Sequence, residues 1–210
     1  MTELSPIYVI DDEEAIRKSI SFALRTSGHQ VRTWPSGTAF LKDARHLPPG
    51  CVLLDMHMAD MDGLDVQADM AARGIRMPVV VITGRCNVNT AVRTMKLGAV
   101  GLLEKPFERG ALLQAIKGAF DKLSWPVSDR DAAAAAKLRL ACLTPRELDV
   151  LNGLAEGLPN KAIARNLGIS ARTVEVHRAH LMDKLGVINF PEALRIAFAA
   201  RLGEPQQPSR

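Results

Sequence analysis

Cysteine is scarce: the 210 residues hold three, Cys51, Cys86 and Cys142, odd in number and without metal-ligand spacing. That argues against a disulfide framework and against a thiolate metal site, and the expectation is reduced thiols. Cys86, close behind Thr83, reads either as a redox-responsive thiol or as a bystander. No apolar run approaches the roughly 20 residues of a membrane-spanning helix. Residues 1–20 carry acids where a signal peptide would carry a basic start and an apolar core, so the expectation is a cytoplasmic protein with no membrane partner. An excess of one charge sign is lacking too. The net charge is +4, and residues 142–210 hold nine basic side chains against seven acidic ones, too mild a bias to establish nucleic-acid binding by itself. With 47% apolar and 24% charged residues, the composition is that of an ordinary globular chain and not of a disordered one. The length suggests one or two domains, with enough chain to bury a proper core.

What is present is a series of short apolar runs, each ending at a polar residue. Cys51-Val52-Leu53-Leu54 ends at Asp55, Ile7-Tyr8-Val9-Ile10 at Asp11-Asp12, and Val79-Val80-Val81-Ile82 at Thr83. Gly101-Leu102-Leu103 stops shortly before Lys105-Pro106. Runs of this length, rich in branched residues, suit strands buried on both faces. Between them lie helical periodicities: Ala15, Ile16, Ile20, Ala23 and Leu24 up to a stop at Gly28; roughly Ser36 to Arg45; Val88, Val92 and Met95; and Glu108 to Leu123. This alternating pattern over residues 7–123 predicts a parallel sheet covered on both faces.

In such a sheet the carboxyl ends of the strands share one edge, where open α/β sheets bind ligands. That edge would hold Asp11, Asp12, Asp55, Thr83 and Lys105. Crowded carboxylates stay ionised only if a cation joins them, and an all-oxygen site with open positions suits Mg²⁺. Lys105 could then neutralise an incoming anion, and the Thr83 hydroxyl could donate a hydrogen bond to it. The chemistry reads as acceptance of a phosphoryl group on Asp55. The competing reading is that strand ends collect polar residues because they meet water; five such residues at ordered spacing favour the site.

These residues and their spacing resemble the response-regulator receiver domain. The resemblance implies a five-stranded, flavodoxin-like doubly wound fold, with Asp11 and Asp12 as the acidic pair and Asp55 as the phosphorylated aspartate. It further implies Thr83 as the switch hydroxyl, Lys105 followed by a cis Pro106, and a Mg²⁺ site completed by the backbone carbonyl of His57. The His57 imidazole would be a bystander. Two departures stand out. Receivers usually have proline where this chain has Ala59, and many carry Phe or Tyr where it has Leu102, which puts the loop's rigidity and the switch's coupling in question. A small residue, Gly84, follows Thr83 and leaves its hydroxyl room to swing toward a phosphoryl oxygen. The family's dimer face would be the helix before Gly98 with the strand at 101–104.

Trp125-Pro126 interrupts the pattern. Ser128-Asp129 can cap a helix through the alanine run 132–136 to about Leu140, either a plain surface helix or a stiff spacer. Beyond it, Thr144-Pro145-Arg146-Glu147 is a capping box with proline at the first helical position. A helix then runs to about Gly157, a second over Asn160 to Leu167, and a third from Ala171 to about Leu185 after Gly168-Ile169-Ser170. Two short helices across a glycine turn fit a helix-turn-helix whose later helix enters the major groove. Val174, Leu181 and Leu185 would pack inward. Arg172, Thr173, Glu175, Val176, Ala179 and His180 would face outward, with Glu175 able to accept from a cytosine amine and Val176 and Ala179 able to meet a thymine methyl. Asn160 joins the candidate contacts, and Lys161, Arg178 and Lys184 are expected as phosphate clamps. His177 has no second ligand at metal spacing.

The motifs at 143–147, 157–161 and 170–178 resemble the LuxR-type helix-turn-helix of the NarL/FixJ response regulators, with Pro159, Arg172 and Glu175 leaning toward the FixJ branch. Residues 191–201 would be the fourth helix, through which two such domains pair. The expected organisation is a receiver over 5–123, a helical linker over 124–141 and a four-helix DNA-binding domain over 142–203, followed by a frayed tail. The implied protein is no enzyme. A histidine kinase phosphorylates Asp55, the protein forms a homodimer, and it binds double-stranded promoter DNA to regulate transcription, with RNA polymerase as a further partner and activation as the expected sense. Two rivals stand beside it. One is an aspartyl-phosphate hydrolase, for which His57 occupies the place of the second acid. The other is a DNA-binding regulator that uses its receiver as a phosphate-independent dimerisation scaffold.

Overall fold

The computed structural model of the chain describes residues 5–85, 87–124 and 129–203. Five strands form one parallel sheet: β1 (Ile7–Ile10), β2 (Val31–Trp34), β3 (Cys51–Asp55), β4 (Val79–Thr83) and β5 (Gly101–Glu104), in the order β2-β1-β3-β4-β5. The strands β1, β3 and β4 are buried at every position, as continuous apolar runs require when both faces are covered. The edge strands differ. In β2, Arg32 and Thr33 are exposed, and in β5 Glu104 is.

Alternation along the strands divides the core in two. Ile7, Val9, Cys51, Leu53, Val80, Ile82 and Leu103 gather with Ile20 and Leu24 of α1 (Glu14–Arg25) and with Leu112, Ile116 and Ala119 of α5 (Arg109–Ser124). On the opposite alternation lie Tyr8 and Trp34, edge to face at 5.6 Å, and Trp34 meets Phe40 of α2 (Gly37–Asp43) at 5.4 Å. Each fully buried large apolar side chain contributes about 2 kcal/mol. The remaining helices of the first half are α3 (Gly63–Ala72) and α4 (Val88–Lys96). Ser36 caps α2 by accepting from the Ala39 N–H; the α-helix proper ends at Asp43 and a 3-10 turn over Ala44–His46 completes the expected span.

The second half is helical: α6 (Asp129–Leu140), α7 (Pro145–Ala155), α8 (Asn160–Leu167), α9 (Ala171–Leu185) and α10 (Phe190–Ala199). The capping box that starts α7 has both of its bonds, Glu147 N–H to Thr144 Oγ1 at 3.3 Å and Thr144 N–H to Glu147 Oε2 at 2.8 Å. Gly168, at φ +66°, makes the left-handed turn out of α8, and Ser170 caps α9 by accepting from Thr173 N–H. Val150, Leu151, Leu154, Ile163, Val174, Leu181, Leu185, Ala193, Leu194 and Ala197 are among the buried apolar side chains of this half. Gly153 lets α7 and α8 approach closely, since a Cβ there would sit 2.9 Å from Ile163 Cγ1.

Two compact units result. One comprises the sheet with α1, α2, α3 and α5; the other comprises α6 to α10, with α4 grouped among them. Among the described residues no helix is long and apolar enough to cross a membrane. Cys86, the Trp125-Pro126 break, the Ser128 cap and the tail after Gly203 lie outside the described residues. Cys51 is free and buried, and Cys142 is free and exposed.

Candidate functional site

Parallel pairing in register, Ile10 beside Leu54 and Asp55 beside Ile82, brings the ends of β1, β3 and β4 to one edge. Asp11 and Asp55 are buried there, at 1% and 5% exposure, while Asp12 is exposed. One ligand oxygen from each of the three lies within 4.8 Å of the others. Lys105 reaches across from the end of β5, its Nζ donating to Asp55 Oδ1 at 2.8 Å and to Asp11 Oδ2 at 2.9 Å. The Lys105-Pro106 peptide is cis.

Two carboxylates at this separation repel by roughly 3 kcal/mol at an effective dielectric of about 20. Three carboxylates and one ammonium leave a residual charge of −2, which a divalent cation matches. Burial pushes the Asp55 carboxyl above its ordinary value, Lys105 opposes this, and Asp11 and Asp12 reinforce it. Burial works against the Lys105 ammonium, yet its contacts with Asp55 and Asp11 hold its pKa above the ordinary lysine value. The all-oxygen donor set, the unbalanced charge and the spacing fit a hard cation of the Mg²⁺ kind. The buried Thr83 turns its hydroxyl onto its own loop, donating to the Arg85 carbonyl at 3.1 Å. Leu102 is buried, paired with Val81. The His57 imidazole is exposed, its Nδ1 3.9 Å from Asp62 Oδ2.

Several groups that hold this site escaped the sequence reading. Glu13 N–H donates to Asp11 Oδ1 at 2.8 Å, and Arg17 Nη1 donates to the Asp11 carbonyl at 2.6 Å. Asp60 Oδ2 accepts from Thr38 N–H at 3.0 Å and Oδ1 from Gly37 N–H at 3.4 Å, which ties the loop after β3 to the start of α2. Asp62 caps α3 by accepting from Leu64 N–H, a cap that Asp-Gly-Leu advertises in the sequence. Gly63 has no alternative: a Cβ would lie 2.6 Å from the Asp55 carbonyl oxygen and 3.0 Å from Met56 Cα.

In the second unit, Arg172, Glu175, Val176, Ala179 and His180 are exposed on α9, and Lys161 is exposed on α8. Arg172 and Glu175 meet at 3.4 Å, an exposed pair worth at most about 1 kcal/mol and easily parted by a base edge. Thr173 Oγ1 is 2.8 Å from Ser170 Oγ, within the cap. Asn160 is half-buried, its Oδ1 without a hydrogen-bond partner. Two of the expected phosphate clamps have partners within this unit. Lys184 Nζ donates to the buried Glu147 Oε2 at 2.8 Å, so its charge closes the capping box of α7. The Arg178 guanidinium lies over the Phe190 ring at 4.7 Å, packed between α9 and α10. The sequence reading also missed Arg139 on α6, which donates to the Leu185 carbonyl and caps the end of α9.

The model of the response regulator receiver domain matches residues 7–117, and that of the bacterial regulatory proteins of the luxR family matches residues 141–197. The chain belongs to the response regulators with a LuxR-type DNA-binding domain. It is similar to the transcriptional regulatory protein FixJ of Azorhizobium caulinodans, 42% identical over 200 residues that cover 95% of each chain. FixJ of Rhizobium meliloti is 41% identical, over 94% of this chain and 97% of its own. Among solved structures, full-length FixJ from B. japonicum aligns with a TM-score of 0.58 at 40% identity, covering 95% of this chain and 98% of that one. The family acts in transcriptional regulation and not as enzymes. Its two domains imply a kinase and DNA as partners.

Proposed function

We propose that Asp55 accepts a phosphoryl group from a histidine kinase and that the modified receiver, over 5–123, changes how the DNA-binding domain, over 142–203, engages a promoter. The observation that carries this reading is Lys105 Nζ held between Asp55 and Asp11, with Asp12 beside them. A carboxylate oxygen of Asp55 attacks phosphorus as the bond to the kinase imidazole breaks. Asp11, Asp12, Asp55 and the His57 carbonyl would hold Mg²⁺, which supplies positive charge against the phosphoryl oxygens. Lys105 stands ready to leave Asp11 and pair with the added charge. The Thr83 hydroxyl exchanges the Arg85 carbonyl for a phosphoryl oxygen, a two-state element biased by new charge.

The homodimer forms through α4 and β5, with buried Leu102 transmitting the Thr83 movement in place of an aromatic ring. On DNA, Arg172, Glu175, Val176 and Ala179 read base edges, and Asn160, Lys161 and Thr173 position the helix on phosphates. The protein works in the cytoplasm and activates transcription through RNA polymerase, with residues 124–141 as the spacer between domains.

The test uses full-length protein, a duplex selected from a random pool and one fixed salt concentration, because affinity for DNA is meaningless without it. Acetyl phosphate with Mg²⁺ is expected to tighten binding by about tenfold, within the usual range of coupling between sites, and to do nothing for Asp55→Asn. Equal affinity with and without the donor would instead support a receiver that serves as a phosphate-independent dimerisation scaffold, the reading to which the aliphatic Leu102 lends weight.

A further inference from the structure

Asp12 is the exposed member of the three carboxylates, and an exposed aspartate ordinarily samples several rotamers. Here Asp12 Oδ2 accepts a hydrogen bond of 2.9 Å from the backbone N–H of Ala59. Ala59 lies four residues beyond Asp55 in the loop that leads to α3. That loop is fixed on both sides of Ala59. Upstream, Met56 N–H donates to the Ile82 carbonyl at 2.8 Å; downstream, Asp60 accepts from the first amides of α2 and Asp62 caps α3. Gly63 N–H closes the loop by donating to the Met56 carbonyl at 2.8 Å. The Ala59 N–H is therefore presented by an anchored backbone.

A proline at this position would have no N–H to offer. We propose that the Ala59 backbone N–H is a positioning group for Asp12, orienting its carboxylate toward the cation site in a way a proline-bearing loop cannot. The bond and the cation are compatible. A carboxylate offers two oxygens and about four lone-pair directions, and the amide occupies one of them on Oδ2. Hydrogen bonds to a ligating carboxylate from outside the coordination shell commonly control metal affinity by about tenfold to a hundredfold, and this exposed bond belongs at the lower end. The proposal rests on the reading of Asp12 as a metal ligand.

Magnesium titration of the full-length, unphosphorylated protein by calorimetry tests it, with Ala59→Pro removing the N–H and Ala59→Gly keeping it. The expected result is a Kd about tenfold weaker in Ala59→Pro and restored to within about twofold by Ala59→Gly, whose amide can make the same bond. Equal or tighter binding by Ala59→Pro, or an equal loss in Ala59→Gly, overturns the proposal while leaving the functional reading intact. A wild-type protein that binds no Mg²⁺ overturns the functional reading and the proposal with it. Amide exchange by NMR covers the case in which the proline variant does not fold. The Ala59 amide proton should exchange about tenfold faster in Asp12→Ala than in the wild type, as loss of a charge-assisted bond requires, and identical rates refute the bond.

Discussion

Lys184→Met separates two roles that a basic residue on a DNA-binding helix can play. The change keeps most of the aliphatic stem and removes the ammonium that lies 2.8 Å from Glu147 Oε2. Glu147 is 3% exposed, and its carboxyl is held down to about 2 by the Lys184 contact first and the Thr144 N–H second. Stripping a buried carboxylate of its partner costs about 3–5 kcal/mol. The Lys184 side chain is 39% exposed, so water screens the pair and the expected loss falls to about 1–2 kcal/mol. Because the folded value lies below the ordinary 4.5, the pair's contribution is complete above pH 4.5 and is lost as pH falls toward 2. Native-state amide exchange within α7 and α9 reads the stability of this unit directly. The deficit of the variant should be full at neutral pH and shrink below pH 4.5. In DNA binding, the salt slope should be unchanged for Lys184→Met and fall by about 0.9 for Lys161→Met, one phosphate contact. Wild-type stability in Lys184→Met together with a slope lowered by about 0.9 would refute the assignment.

Gly63→Ala should lower the stability of the receiver by about 1–3 kcal/mol, because the new methyl meets the rigid backbone of Asp55 and Met56; an unchanged Tm would contradict the close approach. Burial pushes the Cys51 thiol up to about 12. In a Cys86→Ser background at mildly alkaline pH, a disulfide reagent should therefore titrate Cys142 and reach Cys51 only after urea is added.

The strands, the acidic edge and the helix-turn-helix were legible because each leaves a local mark: an apolar run with a polar end, a capping box, a glycine turn. Thr144 and Glu147 sit three residues apart, and the bond between them follows from that spacing alone. The partners of Lys184 and Arg178 do not. Each depends on a contact with another helix, at Glu147 and Phe190, and a basic side chain on an amphipathic helix looks the same in sequence whether it meets a phosphate, a carboxylate or a ring. Asp60 was silent for the same reason, since the amides it holds lie more than 20 residues upstream. The Ala59 position was noticed for what it lacks, the proline ring. What it has, a donor N–H, became visible only beside Asp12.

The bond from Arg139 to the Leu185 carbonyl moves a border. Residue 139 precedes the start of the luxR-family match at 141, yet it satisfies a main-chain oxygen at the far end of α9. A fragment trimmed to begin at that match would keep the Gly186 turn that ends α9 but leave the Leu185 carbonyl without its Arg139 donor. Arg139 thus ties α6 to α9 within one compact unit, and the luxR-family match leaves α6 outside its bounds.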